Sequence, residues 1–369
     1  MQPQSLTTKP HYPILDGLRG VASVMVVIFH LCEANSTSRF TQVINHGYLA
    51  VDFFFLLSGF VIGYAYDDRW SKMSTGNFFK RRLIRLQPMV IIGSIIGALF
   101  FYPQAASIFP AISNTPVWEV VLIMLIGCTM IPVPVSMDIR GWHETYPLNG
   151  PAWSLFYEYV VNILYAIGIR KFPKWALSLL VFLSACFLLH LAVFGGNGDL
   201  IGGWSLEPAQ LHVGFARVMY PFFAGLLLFR VGKLAKIKHA FVWCSLLVIV
   251  VLALPRFGGE QHLWMNGLYE ALAIIFIFPL IIYLGASGEL HNNSQKKVCK
   301  FLGDISYPIY ITHYPLIYLY TGWVVDKKLP FGNSFTAGVV IFITAILIAY
   351  TCLKLYDEPL RRWLQKKLA

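Results

Sequence analysis

Charged residues and paired cysteines are scarce in this sequence. Only 13% of the 369 residues are charged, whereas 57% are hydrophobic. A soluble domain of this size cannot bury so much apolar surface, because its surface grows too steeply with mass. The six cysteines are scattered singly, mostly within apolar runs, which indicates neither a disulfide framework nor a zinc site. We therefore expect no metal and no permanently bound cofactor.

Internal repeats, low-complexity tracts and an appended soluble domain are also missing from the pattern. The apolar run at 20–33 lacks a good small-residue cleavage site, so we expect it to act as a signal-anchor. The sequence instead contains many apolar runs that approach the roughly 20 residues needed to cross a bilayer. These runs predict an all-α, polytopic membrane protein in which the lipid bilayer is the main partner.

Eleven apolar helical segments follow from the pattern, and ten of them are expected to span the membrane as one domain over residues 1–369. The expected spans lie at about 20–35, 48–66, 86–102, 152–169, 175–194, 213–230, 240–255, 265–285, 302–324 and 334–353. The eleventh segment, at 117–134, cannot cross fully if both neighbouring spans keep their directions. Because it ends in Pro132 and Pro134, we expect a re-entrant or outer-face helix, buried in protein rather than lipid.

The basic residues are distributed unevenly along the chain. Most of the 29 lysines and arginines fall in alternate loops and in the two terminal segments. Such an asymmetry places both termini in the cytoplasm by the positive-inside rule. It also accounts for the net charge of +11, so we expect no nucleic-acid partner.

The first expected helix, within 14–33, carries three ionisable residues on one stripe. At about 100° per residue, His30 lies about 20° from Arg19 around the helix and roughly 16 Å further along it. Glu33 follows His30 by three residues, a spacing that lets the two side chains meet. A carboxylate beside an imidazole suits a general base. The alternative is a histidine that is merely hydrogen-bonded in a helix interface.

Other polar residues lie at membrane depth, where they usually face a bundle interior or a cavity. Asp52 is a candidate, although an ion pair with Arg217 would explain it structurally. Glu158 is expected as an unpaired carboxylate, and Ser154 shares its helix face. We interpret Ser154 as cavity lining more readily than as a covalent nucleophile.

Two further features have equally balanced interpretations. Arg82 and Arg85, three residues apart, are either positive-inside anchors or a clamp for phosphate groups. His313 lies between Pro308 and Pro315, which favours a broken helix next to a cavity. Its ring could bind a freed backbone carbonyl or take part in function.

Six short stretches occur in order across nearly the whole chain. They are LDGLRG at 15–20 followed by His30, VDFFFLLSGF at 51–60, FKRRLIR at 79–85, PAWSL at 151–155 with Glu158, LGDISY at 302–307 with His313, and DEPLRR at 357–362. Together they resemble the acyltransferase-3 family of integral membrane acyltransferases.

The resemblance implies an enzyme that takes acyl groups from cytoplasmic acyl-CoA, with acetyl-CoA the expected co-substrate. The acceptor would be a hydroxyl of a carbohydrate, polysaccharide or lipid-linked glycan at or beyond the outer face, as in exopolysaccharide O-acetylation. Proteins of polysaccharide assembly would be further partners. The family's distribution implies a bacterial inner membrane.

The resemblance also assigns roles to residues. His30, supported by Glu33, matches the family's essential histidine and would act as the general base. Arg19, Arg82 and Arg85 would bind acyl-CoA.

Glu158 is a further catalytic candidate that the resemblance implies, and other residues would line the reaction site. Glu158 occupies the acidic position after the W-S-L motif, but the chain reads Phe-Tyr-Glu-Tyr at 156–159 where the family commonly has Ser-x-Glu-Glu. Tyr157 or Ser154 would stabilise the oxyanion. The remaining cavity candidates are Asp52, Arg217 and His313. Direct transfer and transfer through an acyl-serine or acyl-histidine both stay open.

A proton-coupled secondary transporter or acyl-group exporter is the main rival, because intramembrane His and Glu residues also serve proton relays. Transporters often show inverted repeats, and the sequence contains no internal symmetry. A scaffold or receptor would have no need for His30, Glu33, Asp52 and Glu158 to gather toward one side.

Overall fold

The computed structural model describes Lys9, residues 11–290 and residues 292–368. Within these residues the chain forms fourteen α-helices and no strand, only an isolated bridge between Ile237 and Gly288. The all-α prediction is therefore confirmed. The helices are α1 (Pro13–Glu33), α2 (Ala50–Tyr66), α3 (Thr75–Leu99), α4 (Val117–Gly127), α5 (Ala152–Ile167), α6 (Lys174–Phe194), α7 (Pro208–Val231), α8 (Ala240–Ala253), α9 (Leu263–Leu272), α10 (Phe278–Ala286), α11 (Asn293–Thr312), α12 (Tyr314–Lys327), α13 (Phe331–Cys352) and α14 (Glu358–Leu368).

Local sequence signals set several helix ends. The Ser74 hydroxyl accepts a hydrogen bond from the Asn77 amide (3.2 Å) and so caps α3. Pro13 and Pro208 begin α1 and α7, where a missing amide costs no intrahelical bond. Two π-helical turns, Ala273–Ile277 and Leu353–Asp357, join α9 to α10 and α13 to α14.

Seven helical segments in the described residues are long and apolar enough to cross a membrane, by length and composition. They are Pro13–Glu33, Gly47–Tyr66, Thr75–Leu99, Lys174–Phe194, Pro208–Val231, Leu263–Ala286 and Phe331–Lys367. Of the other three expected spans, α5 has 16 residues, α8 has 14, and the segment 302–324 is divided between α11 and α12. The total of ten crossings stays a prediction.

The helices differ in how deeply they lie in the bundle. The apolar stretch of the segment containing α2 is 72% buried, whereas that of α6 is 17% buried. Phe182 on α6 is 63% exposed and Leu347 on α13 is 60% exposed. Exposed apolar side chains of this kind suit contact with lipid. The helical backbone beneath them is compatible with that contact, because its hydrogen bonds are satisfied within the helix.

Helices α2 and α7 approach each other closely through two glycines. A Cβ on Gly59 would lie 1.8 Å from the Phe222 carbonyl oxygen, and one on Gly225 would lie 2.0 Å from the Leu56 carbonyl oxygen. Small residues allow such backbone contact between membrane helices. This contact fixes the position of α2, which carries Asp52 and Ser58.

Helix α4 has 11 residues and ends near the middle of α3. Cys128, which directly follows α4, accepts a hydrogen bond from Gln87 of α3. The chain then returns, so that Leu148 packs against Gly97 close to the end of α3. The expectation that this segment is buried in protein is wrong, because Trp118 is 66% exposed and Leu125 is 56% exposed. The prolines come after the helix has ended, and α4 is covered on one side only.

The two ends of the described chain meet at one end of the bundle. Pro13 of α1 and Glu358 of α14 line the same cavity, together with Lys72 and Lys80 from the α2–α3 connection and the start of α3. We call this the basic end, and we call the end that contains Glu33 the far end.

Candidate functional site

A cavity of about 1860 Å³ opens at the basic end. It lies between α1, α2, α3, α5, α11 and α14. Its cationic lining residues are Arg19, Lys72, Lys80, Arg81, Arg82, Arg85, Lys296, Lys300 and Arg361. Pockets for small ligands typically measure about 300–1,000 Å³, so the space can hold a large, extended molecule. The basic walls favour an anionic one.

Arg85 is a cation of this cavity that has no side-chain partner among the described residues. Its side chain is exposed to the cavity, and within the described residues it forms no hydrogen bond or ion pair. Arg19, in contrast, donates to the Ser306 hydroxyl (2.7 Å) and the Gly303 carbonyl (3.1 Å), and lies 3.3 Å from Asp16. A guanidinium without a protein partner is available to phosphate or carboxylate groups, which marks Arg85 as an anion-binding candidate.

Arg82 is already committed to a carboxylate. It is 3% exposed and forms an ion pair with Glu158, which also accepts a hydrogen bond from the Ser58 hydroxyl (2.7 Å). The expectation of an unpaired Glu158 is therefore wrong. Because α3 and α5 both face the cavity at this level, the two side chains meet and neutralise each other.

The inner end of the cavity is closed by two hydroxyl groups. Ser154 Oγ and Tyr310 Oη lie 2.8 Å apart, and both lie within hydrogen-bond distance of the Pro151 carbonyl, at 3.0 and 3.3 Å. The Phe54 ring packs edge-on against Tyr310 at 5.5 Å between centroids. Tyr310 was missed by the sequence reasoning, although it lies in the same segment as His313. Hydroxyls placed in this way can donate to a carbonyl oxygen.

His30 and Glu33 meet at the far end, as their spacing predicts. His30 Nδ1 lies 2.8 Å from Glu33 Oε2, which assigns the Nδ1 proton to this bond and leaves Nε2 as the proton acceptor. His30 is not among the residues that line the cavity. Glu158 lies in the basic cavity with Arg82, whereas Arg217 and its partner Asp52 contact the far-end loops through Tyr48, so the expected gathering toward one side is wrong for Glu158.

His313 lies at the break between α11 and α12. Pro315 has no amide for the Ile311 carbonyl, and the Asn149 side chain donates to that oxygen instead (2.9 Å). His313 Nδ1 lies 2.9 Å from the carbonyl oxygens of Ile309 and Tyr310. The ring therefore does not bind the freed carbonyl. Its Nε2 is buried and has no hydrogen-bond partner among the described residues.

His313 also connects the two ends of the site. Its ring stacks on that of His30 at 5.8 Å between centroids and lies 6.2 Å from that of Tyr310. His313 is fully buried and is not among the cavity-lining residues. Along α11 it follows Tyr310 by three residues, or about 4.5 Å.

Asp52 and Arg217 form the structural ion pair that the sequence offered as an alternative. Arg217 Nη2 lies 2.7 Å from Asp52 Oδ2, and the two side chains are 2% and 0% exposed. Arg217 also donates to the carbonyls of Tyr48 (2.8 Å) and Gly202 (3.1 Å). The pair therefore joins α2 and α7 to the far-end loops, and neither residue lines the cavity.

Tyr157 is not placed for oxyanion stabilisation in the cavity. It is 1% exposed and packs against Gly214, where a Cβ would lie 2.2 Å from its ring, and against Trp153 at 5.8 Å between centroids. Ser154, one turn earlier on the same helix, lines the cavity instead.

A buried polar cluster in the far-end loops was missed as well. Tyr318 donates to the Glu144 carboxylate (2.6 Å), and Arg140 lies 3.6 Å from it and stacks over the Tyr318 ring at 3.6 Å. Burial raises the pKa of Glu144 to about 7, against the lowering effect of Arg140. In the sequence, Glu144 and Arg140 look like ordinary polar residues of a loop, because their partner Tyr318 lies on the distant helix α12.

No group of three or more His, Cys, Asp or Glu residues able to hold a metal ion occurs among the residues that the structure describes.

A protein family described as an acyltransferase domain matches residues 12–354. "Protein 2 in picA locus" from Rhizobium radiobacter is 31% identical over 193 residues, 49% of this chain and 95% of that protein. "O-acetyltransferase OatA" from Staphylococcus aureus is 26% identical over 380 residues, 96% of this chain and 58% of that protein. "Peptidoglycan O-acetyltransferase OatA" from Listeria monocytogenes is 24% identical over 387 residues, 96% of this chain and 56% of that protein.

The chain thus spans less than three fifths of the length of these two O-acetyltransferases. No solved structure matches this chain.

Proposed function

From the premise that this chain belongs to the acyltransferase family matched over residues 12–354, we propose that it moves an acyl group across the membrane. The donor is acyl-CoA, with acetyl the first candidate, and the acceptor is a hydroxyl of a carbohydrate or polysaccharide. The names of the two O-acetyltransferase relatives support an acetyl group and a glycan acceptor. The membrane is proposed to be a bacterial inner membrane with the basic end in the cytoplasm.

The unpaired Arg85 guanidinium in the basic cavity is the observation that carries this proposal. Acyl-CoA combines a phosphorylated head with a long, narrow arm, and its phosphates match a guanidinium that has no other partner. Lys296, which also lines the cavity, would meet a further phosphate, whereas Lys300 is paired with Asp304 (2.7 Å). Arg82 is held by Glu158 and shapes the wall instead.

The inner end of the cavity would receive the thioester. Ser154 and Tyr310 hydroxyls would leave their mutual hydrogen bond and donate to the thioester carbonyl oxygen. Negative charge develops on that oxygen during attack, so donors aimed at it lower the barrier. Phe54, packed on Tyr310, would limit the length of the acyl chain.

The acceptor hydroxyl would be activated at the far end. His30 Nε2 is free to take its proton, because Nδ1 is bonded to Glu33. Glu33 is half exposed (50%) and stabilises the imidazolium that forms. Donor binding and acceptor activation thus occupy opposite ends of one bundle.

Binding of acetyl-CoA to the purified protein, measured by isothermal titration calorimetry, tests the donor site. A charge-assisted hydrogen bond contributes about 1.5–3 kcal/mol, so Arg85→Ala should weaken binding by roughly 10- to 100-fold. Lys171→Ala is the matched control, since Lys171 is an exposed cation near the same end that does not line the cavity. Equal affinities of the wild type and Arg85→Ala would refute the assignment.

Proteoliposomes that contain the protein separate the enzyme from the transporter. The proposal predicts that a glycan acceptor gains labelled acetyl only as acetyl-CoA is consumed. Solute movement without thioester cleavage would instead identify a transporter.

A further inference from the structure

His313 has a free lone pair at the centre of the bundle, between the donor cavity and His30. We propose that His313 Nε2 carries the acyl group covalently, as an acyl-imidazole, between acyl-CoA and the acceptor. This inference rests on the proposed function and adds to it the route by which the acyl group crosses.

The backbone fixes the tautomer of His313. Nδ1 lies 2.9 Å from the carbonyl oxygens of Ile309 and Tyr310, and carbonyl oxygens can only accept hydrogen bonds. Nδ1 therefore carries the proton, and Nε2 holds the lone pair. That lone pair is nucleophilic, and the ring cannot rotate to hide it without breaking both contacts.

Leaving this lone pair unpaired has a cost. A buried polar atom without a partner loses its hydrogen bonds to water and gains none in return. Asn149 takes the Ile311 carbonyl that Pro315 frees, so the break in the helix is satisfied without the histidine. Asn149 Oδ1 and His313 Nε2 are both buried without a hydrogen-bond partner among the described residues, and of these two atoms only the imidazole nitrogen is a nucleophile.

The position of His313 solves a problem of distance. The cavity ends at Ser154 and Tyr310, and His30 does not line it. His313 lies between them, with its ring centroid 6.2 Å from that of Tyr310 and 5.8 Å from that of His30. The Tyr310 side chain lines the inner end of the cavity and also neighbours His313, so its rotation would open a path from a bound thioester to Nε2.

The transfer then takes two balanced steps. In the first step Nε2 attacks the thioester carbonyl carbon, the C–S bond breaks, and CoA leaves as a thiolate that takes a proton from water in the cavity. The acyl-imidazolium keeps its Nδ1 proton. In the second step the acceptor oxygen attacks the acyl carbon while His30 Nε2 takes the hydroxyl proton. The C–N bond breaks, its electron pair returns to His313, and His30 releases the proton to water.

Isotope exchange tests the first step alone. Purified protein is incubated with acetyl-CoA and labelled CoA, without any acceptor, and label entering acetyl-CoA is measured. Covalent transfer predicts exchange in the wild type and in His30→Ala, because His30 acts only in the second step. His313→Gln, whose side-chain amide can still donate to the carbonyls, should lose exchange by more than about 100-fold.

The controls separate this claim from folding and from the proposed function. His190→Ala changes an exposed histidine on α6 and should exchange like the wild type. If His313→Gln still binds acetyl-CoA, the variant is folded. If it does not bind, a second measurement decides: the wild type is incubated with labelled acetyl-CoA and quenched with acid, and the label is mapped to the peptide that contains His313. Exchange that survives in His313→Gln, or label absent from that peptide, overturns the proposal. Acetyl transfer by the wild type without any exchange also overturns it while leaving the proposed function intact.

Discussion

The buried ion pair of Asp52 and Arg217 should couple strongly in its effect on stability. Arg217→Met leaves the fully buried Asp52 carboxylate without its guanidinium. Breaking a buried pair from one side costs about 3–5 kcal/mol. The Tyr48 and Gly202 carbonyls lose their donors as well, which places the expected loss at the upper end of this range.

Replacing both partners should recover part of the loss. Asp52→Leu combined with Arg217→Met removes both charges, so the remaining cost is that of the two unpaired carbonyls. The double variant should therefore be more stable than the sum of the single effects by about 1–3 kcal/mol. The reason is that the second substitution removes the charge that the first one left buried.

Reversible unfolding in mixed detergent micelles, followed by tryptophan fluorescence, gives the free energy of unfolding for each variant. Lys300 and Asp304 provide the control cycle, since this 2.7 Å pair is 75% and 38% exposed and should couple by less than about 1 kcal/mol. Coupling between Asp52 and Arg217 that is no larger than in the control would refute the reasoning.

Three more predictions concern other parts of the molecule. Burial raises the pKa of Glu144 from 4.5 to about 7, so the folded state holds this proton more tightly than the unfolded state does. The resulting stabilisation is fully present below about pH 4.5, and about 3 kcal/mol of it is lost as the pH rises through 7. Glu144→Gln should therefore flatten the pH dependence of the unfolding free energy between about pH 5 and 8. His30→Ala should lower single-turnover acetyl transfer by about 10²- to 10⁴-fold without changing acetyl-CoA affinity; a matching loss of affinity would place His30 in the donor site. Gly59→Ala should destabilise the protein by about 1–3 kcal/mol in the same unfolding assay, because the new methyl group would meet the Phe222 carbonyl. Gly76→Ala is the control, since its Cβ would meet nothing closer than 3.9 Å. Equal stability of the two variants would contradict the packing argument.

Contacts within one helix could be predicted from spacing. The three-residue separation of His30 and Glu33 places both side chains on one face, and the structure confirms their hydrogen bond at 2.8 Å. The pairing of Asp52 with Arg217 could be named as an alternative, because a buried charge needs a partner. Apolar periodicity and length likewise sufficed for the all-α membrane class.

Contacts between helices could not be predicted in the same way. Arg82 and Glu158 lie 76 residues apart, and their pairing depends on how α3 and α5 rotate against each other. The same holds for Tyr310, whose partner Ser154 comes from α5. A single sequence gives no crossing angle or rotation, so it could not show that Arg82 is paired and that Arg85 has no partner among the described residues.

The orientation of His313 needed the structure as well. Two prolines indicated a break, but Pro308 lies inside α11 and only Pro315 coincides with the change of helix. Asn149, from a loop more than 160 residues earlier in the chain, takes the freed carbonyl. The Nδ1–H group of His313 is then left to the carbonyls of Ile309 and Tyr310, and Nε2 has no donor partner among the described residues.

A structure of the protein with a non-hydrolysable thioether analogue of acetyl-CoA tests the central claim most directly. The account predicts phosphates against Arg85 in the basic cavity and the acetyl group at the inner end, beside Ser154 and Tyr310. A ligand bound outside the cavity, or one whose phosphates lie away from Arg85 with the acetyl group far from Tyr310, would contradict it.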